Sequence, residues 1–195
     1  LDVWKYGDPE NYDLIHGLAQ HHGVRPQNIT VGEGIDGLLG VLIRMFVGPG
    51  TDVVTSLGAY PTVNYHVAGF GGTLHSVPYQ DDHENLEGLI AKSHEVGAKL
   101  VYFANPDNPV GSWHSAQTQR DLIANLREDC LLILDEAYGE FAPEGSLPLL
   151  DMDQRNVIRM RTFSKAYGMA GARIGYGMGH PDLIANFNKI RNHFG

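Results

Sequence analysis

Seven short runs rich in apolar and β-branched residues, at 29–31, 52–56, 73–78, 100–104, 131–135, 157–161 and 173–177, are separated by longer stretches at 36–46, 62–68, 84–96, 116–127 and 181–192 that have helical character. Strands alternating with helices leave few folds open. Parallel strands need a crossover, the usual crossover is a helix, and the helices end up on both faces of the sheet. The run Leu131-Leu132-Ile133-Leu134 is apolar without alternation, as a strand buried on both faces must be. Local signals support the helices: Ser115 stands where a hydroxyl can accept an orphan N–H. Pro181 suits a first helical position, with Asp182 in the first turn. Leu38, Val41, Leu42 and Met45 recur on one helical face. The expectation is a three-layer α/β sandwich around a mostly parallel sheet of about seven strands, formed as one domain over 1–195.

The unusual residues fall where such a sheet binds ligands. Gly32-Glu33-Gly34, Tyr60, Asn105-Pro106-Asp107-Asn108-Pro109, Asp135-Glu136-Ala137-Tyr138 and Thr162-Phe163-Ser164-Lys165 each end or follow a strand. Carboxyl ends of parallel strands share one rim, so five loops deliver polar groups to one place. Gly32-Glu33-Gly34-Ile35-Asp36-Gly37 also matches the G-x-G-x-x-G pattern of dinucleotide sites. The acid that such a site requires should end the next strand, whereas Asp52 begins it. What remains is a helix N-terminus that can bind a phosphate.

Composition removes other classes. Lys plus Arg is 14 and Asp plus Glu is 23, a formal charge of −9, which argues against a general nucleic-acid or anionic-membrane surface. No apolar stretch approaches the roughly 18 residues of a membrane span. The one cysteine, Cys130, opens an apolar run and reads as a buried, inert thiol in a cytoplasmic protein. The ten histidines form no H-E-x-x-H pattern, and no metal site is expected. His21 and His22 read as part of a surface segment, and Asp81-Asp82-His83-Glu84 as a solvated loop leading into a helix. Ser56, Ser112 and Ser146 lack the G-x-S-x-G context of a hydrolase.

The most specific segment runs from Ser164-Lys165-Ala166-Tyr167-Gly168 to Gly171-Ala172-Arg173-Ile174-Gly175-Tyr176. It resembles the signature of fold-type I, class I/II aminotransferases, and among them the histidinol-phosphate aminotransferase-like group. Tyr6-Gly7-Asp8-Pro9, Gly32-Glu33-Gly34-Ile35-Asp36, the Asn105–Gly111 segment and Asp135-Glu136-Ala137-Tyr138 match in the same order, so the likeness runs from Tyr6 to the end. It implies pyridoxal 5′-phosphate (PLP) as cofactor, held by Lys165 as a Schiff base. It implies Asp135 beside the ring nitrogen, Asn108 and Tyr138 at the phenolic oxygen, and Tyr60 on the ring face. For the phosphate it implies Arg173, Ser164, the backbone of Gly34, Ile35 and Asp36, and more weakly Thr162. Lys165, Asp135 and Tyr138 are the implied catalytic residues. Tyr6 resembles a tyrosine that reaches the phosphate of a neighbouring subunit, so the likeness implies a homodimer, with residues 1–25 near its interface.

Ile35 stands where relatives carry Ser or Ala, Asp107 and Val110 where Asn and Thr are usual, and Gly37 where Glu is common. None of these removes a group the chemistry needs. The implied reaction moves an amino group between an amino acid, with histidinol phosphate or an aromatic amino acid as the candidate donors, and a 2-oxo acid. Two alternatives share the motifs: a PLP-dependent decarboxylase or lyase, and a non-catalytic PLP-fold sensor. Substrate-orienting residues of the family lie mostly in a C-terminal small domain, which is expected to lie beyond this chain.

Overall fold

The computed structural model describes residues 4–191. A seven-stranded sheet runs in the order β1-β7-β6-β5-β4-β2-β3. Its strands are β1 (Ile29–Gly32), β2 (Asp52–Ser56), β3 (Thr73–Val77), β4 (Leu100–Ala104), β5 (Leu131–Asp135), β6 (Val157–Thr162) and β7 (Gly175–Gly179). Pairing is parallel throughout except at β7, which lies antiparallel to both β1 and β6. All the other strands therefore point one way, and the amino end of β7 joins their carboxyl ends on one rim.

Alternation along the strands makes the two faces. Tyr102, Ile133 and Met160 join a core with Leu39, Leu42 and Ile43 of α2 (Gly34–Phe46). The helices α3 (Thr62–Gly69) and α6 (Pro181–Ile190) complete this layer through Val63, Val67 and Phe187. On the other face Phe103, Leu132 and Leu134 pack with Leu89 of α4 (Leu86–Val96) and Leu122 of α5 (Ala116–Asn125). Fully burying each of these side chains contributes about 1.5–3 kcal/mol. Cys130 is fully buried here, and burial pushes its thiol up to about 11, so it is unreactive. At the β1/β7 edge, α1 (Tyr12–His22) lays Leu18 and Ala19 on Ile29 and Met178.

Several boundaries differ from the sequence expectation, for identifiable reasons. The strand expected at 173–177 starts at Gly175, because Arg173 is left-handed (φ 52°) at the end of a 3₁₀ turn, Ala170–Ala172. It runs on to Gly179 because Met178 and Gly179 still find partners in Ile29 and Ile158. The helix expected from 84 starts at Leu86, since the Asn85 side chain accepts the Gly88 N–H at 2.9 Å. Glu84 is not solvated as expected; it turns inward and is 1% exposed. Helix α1 was not anticipated, as Gly17 and three histidines dilute its apolar stripe. His22, expected at the surface, is partly buried against the Tyr176 hydroxyl at 2.9 Å, and burial lowers its pKa to about 4. The expected helix end at Asn192 lies outside the described residues.

The entry to α2 is what builds the rim. Gly34 has φ +74°, a region that side chains rarely adopt. The first strand residue Gly175 lies directly under it: a Cβ there would sit 2.6 Å from the Gly34 carbonyl carbon and 2.8 Å from the Ile35 nitrogen. Those are backbone atoms and cannot swing aside. Gly175→Ala is expected to destabilise the fold by about 1–3 kcal/mol through overpacking. Urea unfolding should show a lower midpoint with an unchanged slope.

Candidate active site

A cavity of about 230 Å³ opens at this rim, lined by residues of α2 and of the loops after β2, β4, β5 and β6. Of the residues singled out in the sequence, Ile35, Asp36, Tyr60, Asn108, Asp135, Tyr138, Thr162, Ser164, Lys165 and Arg173 line it together. Gly34 lies just behind: a Cβ on it would meet the Arg173 guanidinium at 2.7 Å. Tyr6 does not line this cavity and is 82% exposed.

Asp135 ends β5 on the α2 side of the sheet, in register with Ala104 and Met160. Ala104 offers only a methyl group beside it, which leaves the space above open. The carboxylate is 5% exposed; it accepts the Tyr102 hydroxyl at 2.7 Å and the Ala137 N–H at 2.9 Å. Among the described residues no cation pairs with it. Burial raises its pKa to about 6, against the pull of those two hydrogen bonds. Tyr102 was missed by sequence reasoning, since inside the apolar run of β4 an aromatic reads as core. Its position two residues before the strand end, on the face shared with Asp135, is the signal that could have found it.

The next residue points the other way. Glu136 is fully buried and binds Arg159 through Nε (2.8 Å) and Nη2, and Arg161 through Nε (2.9 Å). This clamp ties the end of β5 to β6 on the face opposite the cavity, giving Glu136 a structural place that its sequence context left unassigned.

Lys165 sits on the excursion between β6 and β7. The Thr162 hydroxyl donates to the Ile174 carbonyl at 3.2 Å and accepts the Ser164 N–H at 3.0 Å. The Gly168 N–H closes a turn on the Lys165 carbonyl at 2.9 Å. These backbone ties leave the side chain itself uncommitted to the fold. Its Nζ lies 5.5 Å from the centre of the Tyr138 ring, within cation–π range.

Part of the lining suits an anion. Arg173 Nη1 donates to the Ala170 carbonyl at 3.0 Å and approaches Ser164 Oγ at 3.4 Å. The N-cap of α2, Glu33, makes no side-chain cap, so the helix presents its first N–H groups uncapped. Tyr60 donates to Asp36 Oδ2 at 3.3 Å, placing its ring along the wall. Asn108 rides on a loop whose base is locked by Asn105: its Nδ2 donates to the Ser146 carbonyl (3.2 Å) and its Oδ1 accepts the His114 N–H (2.8 Å).

The sequence model of the family Aminotransferase class I and II matches residues 2–194. Histidinol-phosphate aminotransferase 2 of Nitrosospira multiformis is 34% identical over 99% of this chain and 50% of its own length. Histidinol-phosphate aminotransferase 1 of Nitrosococcus oceani is 36% identical over 97% of this chain and 52% of its own. The crystal structure of histidinol-phosphate aminotransferase from Sinorhizobium meliloti in complex with pyridoxal-5′-phosphate superposes with a TM-score of 0.98 at 59% identity, covering all of this chain and 53% of that one. The chain spans about half the length of the curated relatives it matches. With the family's sequence pattern present from residue 2 to 194 and its fold reproduced, this chain belongs to the class I and II aminotransferases.

Proposed function

We propose that this chain is the PLP-binding large domain of an aminotransferase that moves an amino group between an amino acid and a 2-oxo acid. The observation that carries the reading is the buried Asp135 carboxylate, which faces the cavity without a cation while Lys165 and Arg173 line the same space. The residues fit the group. A protonated ring nitrogen answers Asp135, a dianion answers Arg173, Ser164 and the start of α2, and an aldehyde answers the Lys165 amine. When bound, PLP supplies an electron sink for carbanion chemistry at the substrate α-carbon. With the group bound, Asp135 would hold the proton on the ring nitrogen, Asn108 and Tyr138 would supply donors for the phenolic oxygen, and Tyr60 would cover a ring face. The Lys165 amine would be the group that takes and returns the substrate α-proton.

The named relatives support an amino donor of the histidinol-phosphate type. Homodimerisation, with Tyr6 meeting the neighbour's phosphate and residues 1–25 near the interface, belongs to the same reading and is supported by the family likeness. A single buried thiol supports a cytoplasmic place. Among the described residues no helix is long and apolar enough to cross a membrane.

Mixing the full-length protein with PLP should give a visible absorbance band. One equivalent of histidinol phosphate should convert it to the amine form, and a 2-oxo acid should restore it. Release of the substrate carboxyl carbon as carbon dioxide from an amino-acid donor would instead mark a decarboxylase. Arg173→Ala is expected to weaken PLP binding about 10–100-fold, the range for a lost charge-assisted hydrogen bond. Binding of pyridoxal, which lacks the phosphate, should stay within twofold. Equal losses for both would move Arg173 away from the phosphate.

A further inference from the structure

Beyond the cavity lining, β2 and β4 come apart as they approach the rim. Their ladder holds only Val53 against Leu100 and Val54 against Val101, though both strands continue for two or three more residues. The Glu84 side chain fills the split. One carboxyl oxygen accepts the N–H of Ala104, the last residue of β4, at 3.0 Å; the other hydrogen-bonds the hydroxyl of Ser56, the last residue of β2. A tight turn aims it there: Asp81 and Asp82 are both left-handed (φ 51° and 59°), and Gln80 and His83 exchange backbone hydrogen bonds across them. The His114 ring then hydrogen-bonds the Glu84 carbonyl at 2.9 Å.

We propose that Glu84 is a positioning residue for the active site, splicing the ends of β2 and β4 so that Ala104 and the loop carrying Asn108 are held at a fixed height beside Asp135. The inference rests on the PLP reading of that site. Ala104 lines the cavity, and the following residue, Asn105, donates its N–H to the Asp135 carbonyl at 2.8 Å, so a shift at the splice moves both walls. Glu84 does this as a neutral acid. The titratable groups facing it are Asp107, Asp135, Tyr79, Tyr102 and His114, and no lysine or arginine among the described residues pairs with it. Burial is the main cause that raises its pKa, to about 8, reinforced by the charges of Asp107 and Asp135.

A glutamine is the isostere of the neutral acid: its oxygen can accept the Ala104 N–H and its amide can donate to the Ser56 hydroxyl. The test uses the full-length protein with PLP as probe. Glu84→Gln should keep the PLP dissociation constant within about twofold, whereas Glu84→Ala, losing two hydrogen bonds, should raise it about tenfold or more. Ser56→Ala, which breaks one link and keeps the carboxyl, should raise it about two- to fivefold. Stability gives an independent readout. An unfolded glutamate ionises near 4.5 and folded Glu84 at about 8, so between these the folded state binds a proton that the unfolded state does not. Wild-type stability therefore falls across that window relative to Glu84→Gln, and the melting-temperature gap should widen in favour of the variant from pH 5 to pH 8. A glutamine as damaging as alanine, a gap that does not widen, or PLP affinity unchanged in both Glu84→Ala and Ser56→Ala would overturn the inference. These outcomes leave the PLP reading intact if wild-type protein still forms a borohydride-fixed adduct; no adduct in the wild type would remove both.

Discussion

Lys165→Ala is expected to leave a folded protein that holds PLP only as a dissociable ligand and has lost transaminase activity. The fold does not depend on this side chain. Lys165 is exposed, and its loop is fixed by Thr162, Ser164 and Gly168 through backbone hydrogen bonds. Removing the side chain should shift stability by no more than about 0.5 kcal/mol, as for other exposed sites. The cavity keeps Arg173, Ser164 and Asp135 in its lining, so noncovalent binding is expected to survive. The chemistry does not, because among the described residues no other lysine lines the cavity to accept the aldehyde or carry the α-proton. Loss of the proton-transfer role alone is worth on the order of 10²–10⁴ in rate. The checks are turnover and dialysis: the wild type should retain its visible band, and the variant should release its cofactor. Full turnover in the variant would refute the assignment.

Asp135→Asn should separate stability from function in opposite directions. In the cofactor-free protein the carboxylate is buried without a cation, and burial raises its pKa to about 6. An unfolded aspartate ionises near 3.8, so between about 3.8 and 6 the folded state binds the extra proton, and its stability declines as pH rises through that window. Asparagine carries no such cost. It can accept the Ala137 N–H as the carboxylate does and donate its amide to the Tyr102 oxygen. The cofactor-free variant should therefore melt higher than the wild type at pH 7 and no higher at pH 3. Transaminase activity should fall by on the order of 10²–10⁴, because nothing then holds the proton on the ring nitrogen. A variant both less stable at pH 7 and fully active would show that Asp135 is structural. The raised pKa is the cost of holding an anion ready for a cation that comes with the cofactor, a trade-off common at functional sites.

The sequence carried the sheet well where strands are buried on both faces. The runs 52–56, 100–104 and 131–135 are strands with those bounds, interior to the sheet and almost wholly buried, as central parallel strands are. It failed where tertiary contacts override local preference. The Arg173-Ile174 pair looks extended, yet Arg173 is driven left-handed to bring its guanidinium back toward Gly34. The site was legible from side-chain chemistry at strand ends, and ten of the residues singled out line one cavity. Tyr102 and Glu84 were not legible. One hides in an apolar run, the other in an acidic one, and only the register of β4 against β5 and the split between β2 and β4 give them their places. Glu136, whose neighbour Asp135 faces the cavity, illustrates the same limit: a one-residue step along a strand reverses the face.

A single PLP held between the start of α2 and the loops after β2, β4, β5 and β6, with Lys165 as its covalent anchor, is the proposal on which the rest depends. Reducing the PLP-loaded, full-length protein with borohydride, digesting it and mapping the pyridoxyl mass by tandem spectrometry tests this most directly. One stoichiometric label is expected, on the peptide that carries Ser164-Lys165-Ala166. A label on Lys5, Lys92, Lys99 or Lys189 instead, or no label at all, would contradict it.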